Sequence, residues 1–166
     1  MPAFEGDPKS YSVDDLNENG MTGYCLCRPI KVITTQKTLF AKPDGHICHC
    51  LNCRRVTGSN AWSTILLSTK DVVIEDPKGY LKNYMDGDTS TGSSIPRSFC
   101  SNCGSTLDNI SKTDDQPSHV AVALGLFPRM PTPEFELSSA HRQEWMKPAV
   151  PEDKQHEYRP AMTDKY

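Results

Sequence analysis

The chain reads as a mostly β domain of several antiparallel sheets with only short helices. Two observations predict this. Runs of six to ten residues rich in Val, Ile, Thr, Tyr and Phe recur through the middle of the sequence. Turn chemistry separates them, namely Asp44-Gly45, Pro77-Lys78-Gly79 and the Gly/Ser/Thr cluster at 86–94. Short strands at this spacing pair most simply as antiparallel neighbours.

The elements follow in order. Residues 1–20 form a polar N-terminal arm. Strand candidates are 31–40, 61–67, 71–76, 80–85, 95–100, 105–110 and 118–127. After Cys53, residues 54–59 allow only a short helical turn, which Gly58 ends. Residues 138–146 are the best helix candidate, with Ser138 or Ser139 as N-cap. The domain therefore spans 21–146. Residues 147–166 carry Pro148, Pro151 and Pro160 and read as a polar tail laid against it. No repeat of 20–50 residues is found, but Cys-x-Cys occurs twice, at 25/27 and 48/50.

The 166 residues suit one domain and are few for two. Hydrophobic content is 36% and mean hydropathy −0.56, so the core is modest and other ties are expected to support it. A net charge of −3 and a pI near 5.9 give no reason to expect nucleic-acid or membrane partners, which favour basic patches. No run approaches the ~18 apolar residues of a membrane span. The segment 1–20 lacks the apolar stretch of a secretory signal. A cytosolic or nuclear setting follows, cytoplasmic by default, where thiols stay reduced. Seven cysteines is also an odd number for a disulfide framework.

These cysteines fall into three groups: Cys25-x-Cys27, Cys48-x-Cys50-x-x-Cys53 and Cys100-x-x-Cys103. Cys-x-x-Cys lets a tight turn aim two sulfurs at one metal, and tetrahedral zinc takes four ligands. The triple is too tightly spaced to split, so Cys25, Cys27, Cys100 and Cys103 form a closed four-sulfur site. Such a site ties distant segments and contributes folding free energy. Cys48, Cys50 and Cys53 are left with an open position, the form of a catalytic site. Two Zn²⁺ per chain are expected, although thiolates also suit iron. His46 or His49 could instead close the triple as a Cys₃His structural site. An extended backbone would turn His49 away from a metal held by Cys48 and Cys50. His49 then acts behind the ligands or in packing.

The motifs GYCLC (23–27), ICHCLNCRRVTGSNAW (47–62) and RSFCSNCGSTL (97–107) occur in this order. In them the chain resembles the glutathione-dependent formaldehyde-activating enzyme family, also called the CENP-V/GFA domain family, over about residues 20–145. The resemblance implies an Mss4-like β-tent with two zinc ions. Cys25, Cys27, Cys100 and Cys103 match the structural site, and Cys48, Cys50 and Cys53 the catalytic one. It also implies a carbon–sulfur lyase activity that joins the glutathione thiol to formaldehyde.

A thiol entering an open three-cysteine zinc site loses its proton and becomes a nucleophile. The excess negative charge calls for nearby cations. Arg54 and His49 are therefore catalytic candidates beside the triple. Arg55, Arg97, Asn60 and Trp62 are substrate-binding candidates, because arginine forks fit the carboxylates of a partner such as glutathione. The arginines could equally make surface salt bridges, and Thr57 and Ser59 could simply form the turn into the next strand. Trp62, Tyr84, Phe99, Phe127 and Trp145 are expected in the core, with Trp62 also able to wall a pocket. His119 and His141 read as structural. Two other functions stay open: a same-fold zinc enzyme for another small molecule in a biosynthetic pathway, working by decarboxylation, elimination or rearrangement, and a non-catalytic binding module. The sequence leaves the oligomeric state open.

Overall fold

Among the described residues of the computed structural model, 16–17, 20–36, 39–90, 92–113 and 116–158, twelve strands and one α-helix form. Residues 1–15 and 18–19 of the predicted arm, and 159–166 of the predicted tail, lie outside the described residues. The elements are β1 (Leu16–Asn17), β2 (Gly20–Tyr24), β3 (Lys31–Thr34), β4 (Gly45–Cys48), α1 (Leu51–Thr57), β5 (Trp62–Ser68) and β6 (Val72–Glu75). Then come β7 (Leu81–Asp86), β8 (Ile95–Cys100), β9 (Thr106–Thr113), β10 (Gln116–Ala123), β11 (Pro133–Leu137) and β12 (Gln155–His156).

They build a four-stranded sheet, β1-β2-β3-β6, and an eight-stranded sheet, β12-β11-β4-β5-β10-β9-β8-β7. Pairing is antiparallel except at one edge, where β11 runs parallel to both β4 and β12. No hairpin links β4 to β11, so turn geometry does not set their direction. Val150 is buried, and β12 pairs with β11 at the edge of the large sheet.

Apolar side chains from both sheets fill the space between them. Met21, Ile30 and Val32 come from the first sheet and its loop, and Ile65, Leu67, Leu107, Val120 and Val122 from the second. Residues paired across neighbouring strands share a face. The pairs Cys48–Trp62, Thr64–Ala123 and Tyr84–Arg97 therefore mark the outer face of the large sheet. Helix α1 covers this face. Thr106 Oγ1 donates to the Val56 carbonyl at 2.8 Å and fixes the end of the helix to β9.

Three expectations change. Residues 138–146 form no α-helix, because Ser138 is left-handed at φ 54° and only Ser139–His141 make a 3-10 turn. So short an isolated helix is marginal, and an ion pair draws Arg142 back to Glu136 of β11. The run 118–127 divides into β10 and a 3-10 turn at Leu124–Leu126. Tyr84 and Trp145 are 64% and 70% exposed, outside the core. Tyr84 lies on the edge strand β7, and Trp145 lies in the turn that Met146 N–H closes by donating to the Gln143 carbonyl at 2.9 Å. Trp62 and Phe127 are buried.

Candidate metal centres

Cys25 and Cys27 leave the end of β2 in a tight loop. Arg28 takes a left-handed φ of 75° and donates its N–H to the Cys25 carbonyl at 2.8 Å. Ile30 N–H points at the Cys25 sulfur, 3.4 Å away. Cys100 and Cys103 come from the end of β8. Gly104, at φ 75°, closes that turn by donating to the Cys100 carbonyl; a side chain here would be strained. One pair thus belongs to each sheet. Their four sulfurs lie within 4.8 Å of one another. The Sγ–Sγ distances are 3.6 Å for Cys25–Cys27 and 3.7 Å for Cys27–Cys100. Sulfurs placed tetrahedrally ~2.3 Å from a zinc ion would lie about 3.8 Å apart, so the residues fit that metal. All seven cysteines are free thiols.

Cys48, Cys50 and Cys53 form the second cluster, again within 4.8 Å. Cys48 ends β4. Cys50 is the N-cap of α1, and its sulfur accepts from Cys53 N–H at 3.4 Å. Gly58, left-handed at φ 62°, ends the helix after two turns. The three sulfurs are thereby fixed by one strand end and one helical turn. Trp62 and Ala123 pack against Cys48 and Cys53 from the sheet side.

Without metal, each cluster shares protons unevenly. In the triple, thiol donation from Cys48 and Cys53 holds the Cys50 thiol far below its ordinary value, helped by Cys53 N–H and the Arg97 charge. Cys48 and Cys53 are pushed up in turn. In the four-sulfur cluster burial pushes Cys25 up to about 12. Burial also acts on Cys103, but Ser105 outweighs it through its hydroxyl and N–H and brings that thiol down to about 6. Metal binding must therefore displace protons from both clusters.

Neither His46 nor His49 completes the triple. His46 stacks at 5.6 Å on Phe135 of β11. His49 is fully buried, with Nε2 3.5 Å from Glu136 Oε1, and burial lowers its pKa despite that carboxylate. Glu136 also accepts from Arg142 at 2.6 Å and from Ala149 N–H at 3.0 Å. His49 thus joins the α1 cluster to a buried ion-pair network.

The other candidates divide among three clefts around α1. Arg54, Arg55 and Asn60 line one of about 320 Å³ with Leu51, Gln143 and Trp145. Arg55 and Arg97 line a second of about 320 Å³ with Asn52, Tyr84, Asp86 and Asp88. Trp62 lines a third of about 390 Å³ with Ala123, Leu126 and Met130. The four substrate-binding candidates are therefore not gathered in one pocket. Arg97 is buried and pairs with Asp86 at 2.7 Å. Asp86, Asn52, Glu136 and Arg142 escape a sequence reading, because their partners lie on other elements and no spacing rule joins them.

A family model for the glutathione-dependent formaldehyde-activating enzyme matches residues 20–145. The chain belongs to that family. This formaldehyde-activating-enzyme domain holds both cysteine clusters and all three clefts. A crystal structure of a Rhodobacter sphaeroides protein is similar at 20% identity and a TM-score of 0.48, over 67% of this chain and 98% of that one. No curated protein matches the sequence. Among the described residues of this family member, no helix is long and apolar enough to cross a membrane.

Proposed function

We propose that the chain is a zinc-dependent enzyme of the carbon–sulfur lyase type. It activates a thiol, glutathione or a thiol conjugate, for addition to or release from an electrophilic carbon. One observation carries this reading: four sulfurs converge at one cluster and three at the other. Among the described residues no further His, Cys, Asp or Glu donor joins the three. Zinc bound at Cys48, Cys50 and Cys53 would supply a position where an incoming thiol loses its proton.

The chain's own residues do the rest. Trp62 and Ala123 shield Cys48 and Cys53 from water on the sheet side. Arg97 sets a positive charge near Cys50, and its effect on that thiol favours negative sulfur there. Arg54 and Arg55 flank the same helical turn and offer forks to substrate carboxylates. His49 N–H donates to the Leu137 carbonyl at 3.0 Å and holds the backbone between Cys48 and Cys50 against β11. Cys25, Cys27, Cys100 and Cys103 would hold a second zinc that ties the two sheets together, away from the reaction.

One feature supports a second reading, a same-fold zinc enzyme for a non-glutathione small molecule. The Trp62 cleft sets the apolar side chains of Trp62, Leu126 and Met130 beside the hydroxyls of Thr57, Ser59, Ser63, Ser105 and Thr106, with no Arg or Lys in its lining. The test is an assay of zinc-loaded protein with glutathione and formaldehyde beside Cys53→Ser. The first reading expects a rate well above the spontaneous reaction that Cys53→Ser abolishes. A fully metallated wild type with no excess rate defeats it and leaves the second.

A further inference from the structure

Leu51, Arg54 and Arg55 stand three and four residues apart and so share one face of α1. They line a cleft of about 320 Å³ whose lining also carries Trp145. The segment that bears Trp145 is anchored. Buried Glu136 accepts from Arg142 Nη1 at 2.6 Å and from Ala149 N–H at 3.0 Å, so one carboxylate grips both ends of that segment. Between them, Met146 N–H closes the turn on the Gln143 carbonyl. Trp145 is nevertheless largely exposed, and so is Leu51. One exposed apolar side chain needs no explanation. An indole held on an anchored turn, in one cleft with a second exposed apolar side chain, is a place where a ligand ring would bury both.

The charged groups decide what else the ligand carries. Among the described residues no Asp or Glu lines this cleft, and neither arginine makes an ion pair. Arg54 Nε is buried without a hydrogen-bond partner, and such a donor calls for an acceptor. Arg55 also lines the neighbouring cleft with Asp86 and Asp88, so part of its charge is answered there. The cleft therefore offers one undivided cation and a share of a second. That matches the single charge of a carboxylate more closely than the nearly double charge of a phosphate monoester. We infer that this cleft binds a small aromatic carboxylate, with the carboxylate on the Arg54 guanidinium, Arg55 beside it, and the ring against Trp145 and Leu51. An arginine fork takes a carboxylate through two parallel bonds, and an indole takes a ring in an offset or edge-on stack. The inference goes beyond the thiol reading, because glutathione has no ring and the subsite needs no thiol.

NMR titration of the zinc-loaded, nitrogen-15-labelled full-length chain tests it. The chain has two tryptophans, so Trp145→Leu assigns both indole N–H signals. The probes are benzoate, benzamide, cyclohexanecarboxylate and phenyl phosphate. Benzoate should shift the Trp145 signal saturably. It should bind about tenfold or more tightly than benzamide, as expected for charge-assisted hydrogen bonds. It should bind about threefold or more tightly than cyclohexanecarboxylate, as expected for an aromatic pair. Arg54→Gln should reduce benzoate binding to the benzamide level. Trp145→Leu, followed on the backbone amides of α1, should reduce it to the cyclohexanecarboxylate level. Trp145 is exposed, so that variant puts folding little at risk, and the comparison of probes on wild type needs no variant. No saturable shift of Trp145, or equal binding of benzoate and either benzamide or cyclohexanecarboxylate, overturns the inference. A shift confined to Trp62 places benzoate at the open cluster and overturns it too, as does phenyl phosphate binding more tightly than benzoate. Glutathione turnover scores the thiol reading separately, whichever way the titration falls.

Discussion

Arg97 and Asp86 show how much one buried pair decides. They are 5% and 6% exposed and joined at 2.7 Å. Removing one partner leaves a charge stranded in low dielectric. Asp86→Ala should cost about 3–5 kcal/mol in denaturant unfolding, and Arg97→Met in that background should restore part of it. Asp108 is a second buried acid. Ser98 donates to its Oδ1 at 2.7 Å, but Oδ2 has no partner and burial raises its pKa despite the serine. The folded state therefore holds this proton more tightly than the unfolded chain. Stability from Asp108 is greatest below the ordinary carboxylate value and falls as pH rises through the raised folded value. Asp108→Asn should lack this decline, so its stability relative to wild type should rise across that window. A parallel pair of pH–stability curves would contradict the assignment. Neither pair is legible in the sequence. Asp86 and Arg97 are eleven residues apart on adjacent strands, and their contact depends on β7–β8 register.

At the scale of elements, α1 is the piece on which the open cluster depends. It is only seven residues long and is held by its ends: the Cys50 cap, the Gly58 turn and the Thr106–Val56 bond. Gly58→Ala meets no steric obstacle, with nothing within 4 Å of the added carbon, but must adopt φ 62°. It should cost about 1 kcal/mol in thermal unfolding. The sequence shows the stop at Gly58 because left-handed backbone is a local requirement. It also shows strands such as β5, where Trp62, Thr64, Ile65, Leu66 and Leu67 cluster. It hides β2, with two glycines in five residues, and β11, which opens with Pro133 and alternates with Glu134 and Glu136. Those strands exist because neighbours pair with them, and pairing partners are a tertiary property. Residues 138–146 fail as a helix for the same reason, since the Arg142–Glu136 ion pair outweighs local propensity.

For the whole molecule, the two clusters sit differently in the fold. The four-sulfur cluster joins the end of β2 in one sheet to the end of β8 in the other, and the triple lies within one strand end and the helix next to it. Cys103→Ser should therefore remove metal and lower Tm by about 10 °C or more, whereas Cys53→Ser should remove metal with a shift of only a few degrees. This division was legible in cysteine spacing alone, because ligands two or three residues apart cannot serve different centres. What spacing could not show was the splitting of Arg55, Arg97, Asn60 and Trp62 among separate clefts. The central claim is that one centre is closed and the other admits a thiol. Zinc X-ray absorption on the metal-loaded chain, before and after glutathione, tests it most directly. The account predicts about 3.5 sulfurs per zinc at rest, the mean of four and three, rising to about 4 with glutathione. A count of 4 at rest, or one that stays near 3.5 with glutathione bound, would contradict it.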